Sequence, residues 1–196
     1  MRFDLLFDDL EAQLESRLDA EGAQQRGEEE RLRAARTSLR DRLASLAGKA
    51  GPGIRLRLVD GLAVDIAPVT VGRDWLAAEL DGGGECVVPL GSIASVTLSA
   101  ARLRQSREQM PEQQPPAAGG LSAKIGIGVV LRDLARRRVP LDVLGRAEPV
   151  PLHGTIDRVG ADHFDLAVHE RGAVRRESSV IEHRMVALTA VTLLRL

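Results

Sequence analysis

Aromatic side chains are nearly missing from this chain of 196 residues: one tryptophan, three phenylalanines and no tyrosine make up 2% of it. Proteins that hold single-stranded nucleic acid without sequence preference stack bases on such rings, so that mode is disfavoured. Cysteine is scarcer still. Cys86 stands alone, which excludes an intramolecular disulfide and a zinc site of several thiolates, and which suits a reducing cytoplasm. Charge of one sign is also missing. The formal net charge is −1, so the chain as a whole projects no strong field toward nucleic acid or an anionic membrane. Lysine hardly occurs: of 27 basic residues only Lys49 and Lys124 are lysines, a vocabulary that reflects GC-rich coding rather than arginine chemistry. No apolar run approaches the ~20 residues that span a bilayer. The first nine residues are too acidic for a secretory signal. A cytoplasmic protein with no membrane association is expected.

What is present is an ordinary globular balance, 44% hydrophobic and 28% charged, arranged in zones. Residues 1–48 have helical spacing. Phe3, Phe7, Leu10, Leu14 and Leu18 recur every three or four positions, and Leu32, Leu39, Leu43 and Leu46 resume the pattern. Gly22 and Gly27 lie between the two runs, so one long helix and a helical hairpin both remain open. Residues 1–30 hold ten acids against three arginines, whereas residues 31–50 hold six cations against Asp41. That asymmetry suits the dipole of one long helix, an antiparallel hairpin, or two chains pairing head to tail.

Residues 51–100 read as about five short strands. Ile54–Leu58 alternates with period two, Asp60-Gly61 marks a turn, and Gly82-Gly83-Gly84 marks a hairpin. Residues 101–138 form a basic linker. Its centre is a Gln- and Pro-rich loop, and Leu121 to Arg138 has helical spacing stopped by Pro140. Residues 139–196 return to short strands, and they repeat the first set. Val71-Gly72-Arg73-Asp74-Trp75-Leu76 aligns with Val159-Gly160-Ala161-Asp162-His163-Phe164 at an offset of 88. Val88-Pro89-Leu90-Gly91-Ser92-Ile93 aligns with Val186-Ala187-Leu188-Thr189-Ala190-Val191 at an offset of 98. The ten extra residues fall around Arg171 to Arg184. Gly72 and Gly160 would allow a sharp bend, and Asp74 and Asp162 would bond nearby amides in a turn.

The corner Gly154-Thr155-Ile156-Asp157-Arg158-Val159-Gly160-Ala161-Asp162 and the ending Val87-Val88-Pro89-Leu90-Gly91-Ser92-Ile93-Ala94-Ser95-Val96 resemble the small five-stranded barrels of the Sm-like and Src-homology-3-like groups. The resemblance spans roughly half of the chain across both copies. The N-terminal stretch Met1-Arg2-Phe3 with Leu6 to Leu14 is similar to an uncharacterised group of actinobacterial proteins with this layout, a group that brings no activity with it. The resemblance implies the barrel and not an RNA pocket. RNA binders of the Sm-like group carry an Asn after the corner Asp and a basic-glycine pair in the last turn. Here those stretches read Leu76-Ala77-Ala78-Glu79 and Phe164-Asp165-Leu166-Ala167, then Leu90-Gly91-Ser92 and Leu188-Thr189-Ala190.

The candidate chemistry is thin. His153, His163, His169 and His183 all lie in the second copy, without i, i+4 or HExxH spacing, and read as ordinary surface or half-buried residues. Cys86 reads as a small core residue rather than a nucleophile. Asp74 and Asp162 read as equivalent turn residues set far apart, not as a catalytic pair. No phosphate-loop motif occurs, so no enzyme, metal or cofactor is expected. The basic stretch 102–138 holds eight cations against three acids, and Arg132, Arg136, Arg137 and Arg138 are the candidates for nucleic-acid contact.

The expected architecture is therefore α+β. An N-terminal long helix or helical hairpin, coiled-coil-like, precedes two small five-stranded antiparallel β-barrels joined by a helix-containing linker. The two copies are expected to pack through edge strands, which would hide exposed edges. The expected role is a non-enzymatic adaptor that docks a protein partner or forms a homodimer. Phe3, Phe7, Leu10, Leu14, Leu18, Leu32, Leu39, Leu43 and Leu46 would be its contact stripe, with the barrels as binding modules. The alternative is a nucleic-acid-associated, transcription-related protein using the linker arginines.

Overall fold

The computed structural model describes residues 3–49, 51, 53–108, 120–146, 148–172 and 176–196. Helix α1, Phe3–Arg36, has 34 residues and so runs about 51 Å at ~1.5 Å per residue. It ends where β-hydroxyl residues begin. Thr37 Oγ1 donates to Arg33 O at 2.8 Å and Thr37 N to Ala34 O at 3.3 Å, which tightens and closes the last turn. Residues up to Ser38 form one compact unit, and Leu39–Leu196 forms the other. Residues 1–48 are thus not one element. The second helix, α2 (Leu39–Leu46), belongs with the sheet.

In the second unit the strands are β1 (Ile54–Leu58), β2 (Ala63–Val71), β3 (Trp75–Leu80), β4 (Glu85–Pro89) and β5 (Ile93–Thr97). Helices α3 (Ala100–Glu108), α4 (Leu121–Lys124) and α5 (Ile127–Arg137) follow. Then come β6 (Pro140–Gly145), β7 (Glu148–Val159), β8 (His163–His169), β9 (Val180–Ala187) and β10 (Val191–Arg195). All strand pairs are antiparallel, and they form one ten-stranded sheet in the order β5-β1-β2-β3-β4-β10-β6-β7-β8-β9.

The expectation of two separate five-stranded barrels is overturned by this sheet. Each half keeps its own fifth strand beside its first, β5 on β1 and β10 on β6. The fourth strand of the first half does not end the sheet: β4 pairs with β10, Val87 opposite Leu194 and Cys86 opposite Arg195. The physical reason lies in β10. Val191, Thr192, Leu193 and Leu194 are all buried, and four consecutive buried residues demand cover on both faces, which only an interior strand receives. The equivalent strand β5, Ile-Ala-Ser-Val-Thr, buries only Ile93 and sits at the sheet's edge.

The repeat holds at the level of individual bonds. Gly72 N donates to Trp75 O at 2.8 Å, and Gly160 N to His163 O at 2.8 Å. Leu90 N donates to Asp74 O at 2.9 Å, and Leu188 N to Asp162 O at 2.8 Å. The bulge at Pro68/Thr70 recurs at Ile156/Arg158, and it lets β2, an interior strand, contain a residue with no N–H to give. The helices repeat too. Leu39, Leu43 and Leu46 precede their strands as Ile127, Leu131 and Leu134 precede theirs, again at the offset of 88. Neither corner glycine has a positive φ. Gly72 and Gly160 are required for space instead: a Cβ at Gly160 would lie 2.6 Å from the His163 ring, and one at Gly72 would fall on the Trp75 indole.

Two apolar cores result, and each borrows from the other half. Leu193 of β10 packs with Leu43, Ile54, Leu56 and Leu76 of the first half. Trp75 and Val87 of the first half pack with α5 and with Leu141, Phe164 and Leu194 of the second. Burying one such leucine stabilises the fold by about 1.5–3 kcal/mol, so the join between the halves is core rather than surface contact.

Candidate interaction site

The join is made by named polar contacts as well. Ile125 O accepts from both Arg73 N and Trp75 Nε1 at 2.9 Å. Two residues on, Ile127 N donates to Asp74 Oδ1 at 2.7 Å. The corner of the first half therefore receives the start of α5, a helix that lies over the second half. This capture explains why the expected helix from Leu121 to Arg138 is broken into α4 and α5. Gly126 takes an extended backbone, φ −85° and ψ 161°, so the Ile125 carbonyl faces the corner instead of an amide one turn on. Across the sheet, Leu196 N donates to Glu85 O at 2.8 Å. Thr192 Oγ1 donates to Asp60 Oδ2 at 2.7 Å, and Ser92 Oγ to Thr192 O at 2.8 Å.

The two outer strands are left without such partners. Among the described residues β5 pairs with β1 alone and β9 with β8 alone. The β5 edge borders a groove of about 500 Å³ between β5, α2 and α3, lined by Leu39, Leu43, Leu46, Val96, Leu98 and Leu103. The β9 edge exposes Ile181 and Met185 on alternate positions. Exposed apolar edges of this kind are sites where another strand can add.

The expected contact stripe divides between the two units. Phe3, Phe7 and Leu10 lie on α1, with side chains outside the described residues. Leu14, Leu18 and Leu32 are each 59% exposed on the same helix. Leu39 is also exposed. Leu43 and Leu46 are corrected to core residues: both are buried, and Leu43 belongs to the core of the first half. Their i, i+3 spacing serves a short helix lying on a sheet, not a continuation of α1.

Arg132, in the middle of α5, and Arg136, Arg137 and Arg138 at its end are all exposed. Arg136 donates to Asp133 Oδ1 at 2.6 Å, and Arg137 lies 3.6 Å from Asp133 Oδ2. The hydrogen bond from Arg136 holds the Asp133 carboxyl below the ordinary range. Arg138 closes the helix in the left-handed region at φ 52°. Of the other linker cations, Arg102 is buried, donating to Gln105 Oε1 and to Lys49 O, so the basic linker is less of a surface feature than its composition suggests.

The histidines are spread over the second half. His163 bonds Asp162 at 2.8 Å, which pulls that carboxyl below its ordinary value, and His183 lies 3.8 Å from Glu177. The other two belong to a buried network that motif reasoning misses. His153 Nδ1 donates to Asp142 Oδ1 at 2.7 Å, and Arg171 donates to Asp142 Oδ2 at 2.8 Å. His169 stands edge-on to His153 with ring centres 5.2 Å apart. Its Nδ1 donates to Glu170 O, so its Nε2 accepts from Thr155 Oγ1 at 2.9 Å. Register is what joins these residues: Asp142 lies opposite His153, and Thr155 opposite Ala167. Three of the four ring nitrogens are engaged by these contacts, which makes the cluster an internal hydrogen-bonded network around the buried Asp142. Among the described residues no group of three or more His, Cys, Asp or Glu is placed to hold a metal ion.

Cys86 is buried in β4, and burial pushes its thiol up to about 11, the reverse of an activated nucleophile. No helix of the described residues is long and apolar enough to cross a membrane. Comparison with family models, with curated protein sequences and with solved structures finds no match to this chain.

Proposed function

We propose that this chain is a self-associating, non-enzymatic interaction protein of the cytoplasm, with α1 as its docking arm. The observation that carries the reading is the exposure of Leu14, Leu18 and Leu32 on one 34-residue helix. Leucines at that spacing on a long helix gain several kcal/mol by burial against a second helix. The acidic character of residues 1–30 and the arginines that close α1, Arg31, Arg33 and Arg36, favour an antiparallel partner, in which unlike ends meet. The buried thiol of Cys86 fits the reducing compartment.

Light scattering coupled to size-exclusion chromatography at tens of micromolar tests it. The substitutions belong on α1 alone, because Leu43 and Leu46 are core and a deletion through residue 48 would damage the sheet. The intact chain should run above monomer mass, and Leu14→Ser/Leu18→Ser/Leu32→Ser should lower that mass without changing the thermal transition of the sheet. A triple variant with the mass of the parent overturns the role of α1.

A second reading, nucleic-acid contact through Arg132, Arg136, Arg137 and Arg138, rests on the exposure of these side chains along α5 and at its end. The sharing of Asp133 by Arg136 and Arg137 weakens it. Titration into labelled RNA and duplex DNA at two salt concentrations decides this reading. Binding that weakens steeply with salt supports it, and salt-independent or absent binding rejects it.

A further inference from the structure

We infer that β9 of one chain adds antiparallel to β5 of a second copy, repeating between chains the join that β4 and β10 make within one. The proposal shares with the reading above only the conclusion that the chain binds itself. It stands on the sheet edges and not on α1.

The repeat supplies the argument. Strand β9 is the second-half equivalent of β4, and β5 is the first-half equivalent of β10, by the offset of 98 that aligns Val88 with Val186. The sheet therefore ends in the same two kinds of edge that meet at its centre. Burial differs as a missing partner predicts. Val87 is 3% exposed beneath the second half, whereas its equivalent Met185 is 74% exposed. Ile127 is 9% exposed against the corner of the first half, whereas its equivalent Leu39 is 45% exposed. At the centre, Val87 packs with Ile127, Leu131, Leu134 and Leu194. The equivalents of those four are Leu39, Leu43, Leu46 and Val96, and all four line the groove beside β5. The groove is thus the socket that Val87 fills in the other half, and Met185 is the side chain that corresponds to it.

The register follows from the same equivalence. Leu194 opposite Val87 becomes Val96 opposite Met185, and Arg195 opposite Cys86 becomes Thr97 opposite Arg184. The bond from Leu196 N to Glu85 O becomes one from Leu98 N to His183 O. At the corner, Asp162 would accept from Leu39 N of the second copy as Asp74 accepts from Ile127 N. Each chain offers one edge of each kind, so the contact is heterologous, and repeated it closes a ring or runs as a filament.

Two full-length chains test this, Cys86→Ala/Thr97→Cys and Cys86→Ala/Arg184→Cys. Each then holds a single thiol, so no disulfide can form within a chain. Thr97 and Arg184 would form a non-hydrogen-bonded pair, where side chains stand closest. Mild oxidation of the mixture should give several-fold more mixed disulfide dimer than either chain gives with itself. Equal or greater self-linking, or no linked dimer, overturns the proposal. Met185→Asp should lower the mass by light scattering with an unchanged thermal transition, while Met185→Leu retains it. An unchanged mass for Met185→Asp in the Leu14→Ser/Leu18→Ser/Leu32→Ser background also overturns it. The two readings fail separately. Loss of the α1 reading leaves the triple variant at full mass with cross-linking intact, and loss of edge pairing leaves the two thiols uncoupled however the chain associates.

Discussion

Asp74 and Asp162 occupy the same turn in the two halves, yet only one of them holds a helix, and this makes a controlled experiment. Asp74 Oδ1 accepts from Ile127 N at 2.7 Å, acting as the N-terminal cap of α5 from 53 positions upstream in sequence. Gly126, the residue at the helix start, offers no side chain for that purpose. Asp74→Ala removes the acceptor and the negative charge that faces the helix dipole. Caps of this kind contribute about 0.5–2 kcal/mol. The Asp74 side chain is 44% exposed, so water replaces part of the bond and a loss of about 1 kcal/mol is expected. For a unit of this size that lowers the midpoint of thermal unfolding by roughly 2–4 °C. Asp162→Ala removes an exposed side chain whose partner is its neighbour His163, and its cost should stay within about 0.5 kcal/mol. The assay is thermal and urea unfolding of parent and both variants, dilute enough to be monomeric. Asp74→Asn should fall between parent and Asp74→Ala, because an amide oxygen still accepts but carries no charge. Equal losses for Asp74→Ala and Asp162→Ala would refute the idea that the corner of the first half anchors α5.

Other expectations follow from single contacts. A Cβ at Gly154 would overlap the Ala167 backbone carbonyl of the neighbouring strand. Because neither backbone can yield, Gly154→Ala should cost about 1–3 kcal/mol in urea unfolding. Gly27→Ala meets nothing within 4 Å and should raise helix content on α1, by about 1 kcal/mol of local stability in amide exchange. The Cys86 thiol, raised from 9.0 to about 11 in the folded chain, ionises more readily once unfolded. Its contribution to stability is complete below pH 9 and is lost as pH rises toward about 11. Cys86→Ala should flatten that part of the stability profile, and a thiol reagent at neutral pH should label the parent only as fast as the sheet opens.

The repeat was legible because its turns are built from residues with narrow tolerances. Val-Gly-x-Asp leaves its mark wherever a glycine must admit a ring and an aspartate must sit beside a new strand. What the local pattern could not convey is which fourth strand meets which fifth strand. Each half contains both, and alternation within a strand is silent about a neighbour a hundred residues away. A signal did exist in the run Val191-Thr192-Leu193-Leu194, which lacks the polar alternation of Ile93-Ala94-Ser95-Val96-Thr97 and so marks an interior strand. The N-terminal stripe misled for a similar reason. Helical spacing continues across Thr37-Ser38, and spacing alone does not say that α1 presents Leu32 while α2 buries Leu43. The buried network of Asp142, His153, Thr155 and His169 comes from four positions on three strands and has no linear motif at all.

Divergence between the copies now separates framework from function. Positions that make the fold agree across the repeat: the corner bonds of Gly72 and Gly160, the bulges at Pro68 and Ile156, and the helix leucines. Some of the positions that differ do so where one copy has a neighbour and the other has none. Val87, Trp75 and Ile127 meet across the centre, whereas Met185 and Leu39 stand exposed at the ends and His163 is half-buried there. Had the outer edges been selected for monomeric life, the replacement for Val87 would carry a charge, since charge is the ordinary guard of an exposed strand. Methionine is instead an adaptable apolar filler, which suits the proposed fit of Met185 into the groove beside β5. The same logic bears on Asp142. Its equivalent Arg55, opposite Asp65 and Thr97 as Asp142 is opposite His153 and Arg195, is exposed, whereas Asp142 is buried beneath His153 and Arg171. That substitution made no new edge, and its product is internal order in the second half rather than a surface. The edges therefore carry the proposed assembly, and the histidine network belongs to the interior of the second half.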